Sequence, residues 1–315
     1  MTLRILLSVL GVMVVAQMCV IATLITLDLV RKRRAAPTAF PWLSSDPVEV
    51  DGNQLHVYTY GEELYAAMLS AIEGAERRVL LETFIWKEDA VGLQFKWCLT
   101  EAAKRGVEVF VIFDSFANWV VPRRFKRFPP QIKVLEHRVL PRVWQLLDPR
   151  RYARDHRKIL VVDDKTAFVG GFNIGARYAT EWRDTHLRVD GPVVVELENA
   201  FVDFWNAHRL RGLPALPSPA RRVWRSSIRV HRNDPSTTIF PIRAMYLEAI
   251  DRGTHHIHLT HAYFIPDRTL LQSLLAAAAR GVDVRILLPQ RSNHVVADWL
   301  ARGFYGRCLR GGVRL

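Results

Sequence analysis

DHRKILVVDDKTAFVGGFNIG, residues 155–175, sets a histidine, a lysine two positions on, an aspartate five beyond that and a Gly-Gly-Phe-Asn run within one short stretch. The apolar ILVV is predicted to be a buried strand, and strand alternation puts His156 and Lys158 on one face and Arg157 on the other. A nucleophile and a cation then share one pocket. A neutral imidazole can attack phosphorus, and a lysine ammonium beside it can stabilise charge on the nonbridging oxygens. Gly170 and Gly171 allow close backbone approach to a ligand, and the Asn173 amide can donate to an oxygen. These are the requirements of phosphodiester chemistry. Asp163 completes the candidate catalytic set, with the fixing of the strand's closing turn, or pairing with a cation, expected of it rather than contact with substrate.

Upstream, residues 62–75 read as an amphipathic helix and 79–86 as a buried strand. A helix ending in AAKRG follows, with Gly106 suited to its C-terminal cap, and then the strand VEVFVIFD. That order predicts a parallel βαβ unit in an α/β fold. The unit recurs: AAKRGVEVFVIFD matches AAARGVDVRILLP, and LLETFIW matches LTHAYFIP. Two pseudo-symmetric lobes of mixed sheet flanked by helices are therefore expected, 47–212 and 236–315, joined by a linker at 213–235 rich in proline and arginine. A counterpart of His156 would fall about 20 residues past Leu315, so the second lobe is expected to be truncated and to lack its motif.

Half of the 315 residues are apolar, enough for a substantial core, and the formal charge of +13 calls for an acidic partner, either a membrane surface or a nucleic acid. Cys19, Cys98 and Cys308 show no ligand or disulfide spacing, which fits a reducing compartment. From Ile5 to Leu27 the chain is apolar and long enough to span a bilayer, followed by Arg31, Lys32, Arg33 and Arg34. Residues 1–34 thus read as an uncleaved transmembrane anchor with a basic stop, 35–46 as a connector, and the positive-inside rule places the remainder in the cytoplasm.

The motif His-x-Lys, four residues, Asp, six residues, Gly-Gly, one residue and Asn resembles the signature of the phospholipase D superfamily. Within it, ETFIW, WRDTHLRVDGPVV, AYFIPD and RGVDVRILLP are similar to bacterial cardiolipin synthases. The resemblance extends from about residue 48 to the end and implies a phosphatidyl transfer between phosphatidylglycerol molecules at the bacterial inner membrane, without cofactor or metal. It further implies a phosphohistidine on His156, oxygens held by Lys158 and Asn173, and a supporting role for Asp184, which would orient a catalytic histidine. Family members build one site from two motifs, so a homodimer or a companion chain is expected to complete this one.

Three functions stay open at this point: a phosphatidyltransferase, a hydrolytic phosphodiesterase or nuclease, and a truncated, inactive lipid-binding protein. The membrane anchor disfavours nucleic acid. His255, His256, His258 and His261 find no carboxylate or cysteine at metal-ligand spacing and are expected on a half-exposed strand face. Two basic clusters, 121–130 (VPRRFKRFPP) and the linker arginines with Trp224, suit an anionic interface.

Overall fold

The computed structural model describes residues 2–34, 45–138, 154–218, 227–233, 239–292 and 294–315. The connector at 35–44 and the linker residues Arg221, Arg222, Trp224 and Arg225 lie outside these. The chain opens with helix α1 (Thr2–Arg34), whose stretch Ser8–Arg31 is long and apolar enough to cross a membrane. The chain divides into two compact units, Thr38–Phe240, and Met1–Pro37 together with Pro241–Leu315.

The larger unit is built on an eight-stranded sheet. Its strands are β1 (Val48–Val50), β2 (Asn53–Tyr58), β3 (Arg78–Thr83), β4 (Glu108–Asp114), β5 (Ile132–His137), β6 (Ile159–Val162), β7 (Thr166–Gly170) and β8 (His186–Asp190), in the order β1-β2-β8-β7-β6-β3-β4-β5. β3, β4 and β5 run parallel, and β6 pairs antiparallel with β3, Glu82 opposite Ile159. The predicted βαβ unit is β3-α3-β4, with α3 (Ala90–Lys104) as the crossover. Asp89 starts that helix by accepting from the Gly92 N–H, and Gly106 ends it at φ +95°, a conformation that costs glycine no Cβ clash.

Alternation along the central strands splits the core in two. Val79, Leu81, Leu160 and Val162 face α2 (Gly61–Glu73), α3 and α4 (Ala176–Thr180). Leu80, Ile159 and Val161 face α5 (Val194–His208), where Trp205 and Phe201 are fully buried. A sheet covered on both faces explains why β3, β4 and β6 read as nearly continuous apolar runs.

In the other unit, α6 (Pro241–Arg252), β9 (His256–Thr260), α7 (Arg268–Ala279), β10 (Asp283–Leu287) and α8 (Val295–Arg310) follow in order. β9 and β10 are parallel, and Arg314 bridges to Arg285 as a further parallel partner, where the repeat places a counterpart of β5. His256 and His258 do lie on one exposed strand face, their rings 5.0 Å apart.

Candidate active site

The ladder of β6 begins at Ile159, so His156 and Lys158 precede the strand and are not inside it. Asp155 donates its N–H to Asp114 Oδ2 at 3.3 Å, and Arg157 donates its own to Asp155 Oδ1 at 3.4 Å. Both backbone donors are thereby turned to side chains. The alternation nevertheless carries through. Arg157 reaches the α5 side, donating to the Ala200 carbonyl at 3.0 Å and lying over the Phe204 ring, while Lys158 goes to the other face.

His156 and Lys158 share one aromatic platform. The imidazole tilts against Phe84 at 4.5 Å between centroids, and Lys158 Nζ lies 5.2 Å from the centre of the same ring. Lys158 is buried, and its ammonium donates to the His156 carbonyl at 2.6 Å. Burial, together with the neighbouring ammonium, lowers the His156 pKa and favours neutral imidazole. Burial also draws Lys158 down to about 8, against the opposing fields of Asp184, Asp155 and Glu82. A neutral imidazole thus stands beside a group that is still mostly cationic at pH 7.

Asn173 is tied in from three directions. Its Oδ1 accepts from the Ile85 N–H at 2.9 Å, its carbonyl accepts from the Tyr65 hydroxyl, and the next residue bridges to Trp86. With Oδ1 committed to backbone, the amide nitrogen is the donor left to meet an oxygen. The two glycines make room for protein rather than for ligand alone. A Cβ on Gly170 would collide with the backbone of Thr185 and His186, and one on Gly171 would come within 1.8 Å of Asp184 Oδ1. Asp184 therefore sits over the Gly171 backbone, raised in pKa by burial and within the field of Lys158.

Asp163 lies at the opposite end of β6 from His156. Its carboxylate accepts three backbone N–H groups, from Glu76, Arg77 and Arg78, each at 2.8 Å. Burial opposes the charge, yet these donors outweigh it and hold the carboxyl below its ordinary value. Asp163 itself takes a left-handed φ of +53°. It clamps the β6–β7 turn to the start of β3, and the structure does not bring it to His156.

Four further residues complete the surroundings. Glu82, fully enclosed on β3, pairs with Arg157 at 2.5 Å, and Arg157 also meets Asp155 at 3.3 Å. Burial and the adjacent Asp155 push the Glu82 carboxyl well up despite that partner. A lone glutamate inside the apolar run of β3 was the available signal. His186 is 2% exposed, neither ring nitrogen has a hydrogen-bond partner among the described residues, and burial followed by the Lys158 field pushes its pKa to about 3.

The basic stretch 121–130 turns its aromatics inward. Phe125 is buried edge-on to Trp86, Phe128 packs 5.5 Å from the same indole, and Lys96 Nζ sits over both phenyl rings. Arg123, Arg124 and Arg127 are left exposed outside, so this stretch presents its cations while Phe125 is withdrawn from the surface.

This sheet, with a His-x-Lys pair ahead of an antiparallel strand added to a parallel βαβ unit, defines a phospholipase D-like fold. The crystal structure of phosphatidylserine synthase from Haemophilus influenzae Rd KW20 superposes at a TM-score of 0.59 and 13% identity, over 87% of this chain and 73% of that one. The chain belongs to the family described as "Cardiolipin synthase, PLD-like domain", whose model matches residues 68–205 and 246–315. Among its relatives, cardiolipin synthase A of Pseudomonas fluorescens (strain SBW25) is 34% identical over 292 residues, 89% of this chain and 60% of the relative. That of Pseudomonas aeruginosa (strain LESB58) is 32% identical over 273 residues, 84% and 55% respectively. The chain thus spans 55% to 60% of the length of these curated relatives.

Proposed function

We propose that the chain is a membrane-anchored phosphatidyltransferase of the cardiolipin synthase type, acting on phosphatidylglycerol. The observation that carries this reading is the shared Phe84 platform, on which His156 and the buried Lys158 stand side by side. The neutral His156 ring attacks the lipid phosphorus, the bond to the glycerol oxygen breaks, and a phosphatidyl-histidine forms. Lys158 and the Asn173 amide nitrogen hold the nonbridging oxygens as negative charge builds. The hydroxyl of a second phosphatidylglycerol then attacks phosphorus, and the histidine is released with cardiolipin as product. Protonation of the departing glycerol needs an acid, which a second copy of this chain or a companion chain would provide. Asp184 tunes Lys158, and Asp163 maintains the turn that aligns the strand. Membrane attachment through α1, with the remainder cytoplasmic, brings the site to its substrate.

The test is a pH–rate profile of the reconstituted chain on phosphatidylglycerol vesicles, following cardiolipin and glycerol. His156 must be neutral, so the acid limb should fall below the ordinary histidine value near 6.5, and Lys158 must be protonated, so activity should decline above about 8. His156→Ala should lower turnover by on the order of 10³-fold or more. Undiminished turnover in that variant, or DNA cleavage in place of lipid transfer, would overturn the reading.

A further inference from the structure

The end of the apolar helix is latched to the beginning of α8. Asp28 accepts from the Val295 N–H at 2.8 Å through Oδ1 and meets His294 Nδ1 at 3.0 Å through Oδ2. Arg31 donates to the Ser292 carbonyl at 3.3 Å and pairs with Asp298 at 3.3 Å. Asp298 is buried. A carboxylate from α1 therefore caps the N-terminus of α8, and a cation from α1 neutralises the one acid that α8 contains. Asp28 and Arg31 are also among the last residues of the stretch long and apolar enough to cross a membrane, Ser8–Arg31.

Directly beyond the latch, Val296, Trp299 and Leu300 fall at i, i+3 and i+4 on one helix face and are 43%, 74% and 44% exposed. Leu300 is five residues past the capped Val295, about 8 Å along the helix axis. Whatever the tilt of α8, this patch stays close to the depth at which the apolar span ends. Tryptophan with aliphatic neighbours suits the boundary between headgroups and acyl chains. Arg302 also pairs with Asp298 at 3.4 Å, and the cations Arg307 and Arg310 are exposed further along the helix, matching an anionic surface.

We propose that the first two turns of α8 form an interfacial membrane-contact site, with Val296, Trp299 and Leu300 entering the headgroup–acyl boundary of an anionic bilayer. The site rests on the reading of α1 as a membrane span. Its effect is to hold the unit containing α8 against the bilayer through the Asp28 and Arg31 latch, rather than leaving it tethered by chain connectivity alone.

The full chain and its Trp299→Phe variant, reconstituted in phosphatidylglycerol–phosphatidylcholine vesicles, provide the test. The fluorescence difference between the two isolates Trp299. It should be lost when the lipids carry bromine near the headgroup end of the acyl chain, and should be protected from aqueous iodide. Quenching by iodide but not by bromolipid overturns the site, as does protection from both, which would mean that a second copy or another protein segment covers the face. An alkaline carbonate wash separates the two levels: retention of both proteins with an unquenched Trp299 refutes the contact site alone, whereas release of the wild type refutes the span on which it rests.

Discussion

The β3-α3-β4 and β9-α7-β10 segments are the same device made twice. Each helix starts on an aspartate accepting from the third residue on, Asp89 from Gly92 at 3.0 Å and Asp267 from Leu270 at 2.9 Å. Each ends at a glycine of positive φ, +95° at Gly106 and +90° at Gly281. The arginine before each glycine reaches back to three carbonyls of the preceding helix and turn: Arg105 to Ile72, Glu73 and Ala75, and Arg280 to Ile250, Asp251 and Gly253. What differs is the other edge of the first strand. β3 carries β6 there and is buried from Val79 to Thr83, whereas β9 hydrogen-bonds among the described residues to β10, with His256, His258 and Thr260 exposed. In the register of the repeat, with Val79 opposite Val109 and Ile257 opposite Val284, Thr260 stands where β3 has Glu82. The βαβ device is scaffold, and the candidate chemistry enters with the strand added across its edge.

The largest test of this distinction concerns Arg157, which joins that added edge to Glu82. Replacing it with methionine leaves two buried carboxylates without their cation and should cost about 3 to 5 kcal/mol, read from chemical denaturation. Glu82→Leu combined with Arg157→Leu should recover much of the loss. Equal losses in the single and double variants would mean that the pairing is incidental.

Asp163→Ala comes next, at about 2 to 3 kcal/mol, because the backbone N–H groups of Glu76, Arg77 and Arg78 lose their acceptor. The folded pKa of Asp163 is depressed, so its contribution is present above the unfolded value near 3.9 and disappears as pH falls through the folded one. The penalty should therefore shrink in acid, and a penalty unchanged by acid would rule out the carboxylate as its source.

The smallest effect tests the shared part. Arg105→Ala and Arg280→Ala should each cost about 1 to 2 kcal/mol, and by similar amounts, since both guanidinium groups hold partly exposed carbonyls. A cost confined to one unit would break the equivalence of the repeats.

The shared scaffold was legible because its signals are local. Apolar runs, the AAKRG and AAARG ends and the glycines after them fix strand, helix and turn within a dozen residues. The motif spacing likewise placed Arg157 and Lys158 on opposite sides. What stayed hidden depends on distant partners. Glu82 meets Arg157 across 75 positions, Asp114 draws the Asp155 N–H away from a ladder, and Asp184 fills the space over Gly171. The aromatics of 121–130 turn inward because Trp86 and Lys96 offer them faces that no local pattern reveals.

The bond from Lys158 to the carbonyl of His156 has a kinetic meaning. A neutral acceptor fixes the ammonium in place without cancelling its charge, as a carboxylate would. In the phosphatidyl transfer proposed above, the lipid phosphate meets a dipole and a cation already oriented, which leaves little reorganisation for the moment at which the phosphorus–oxygen bond yields.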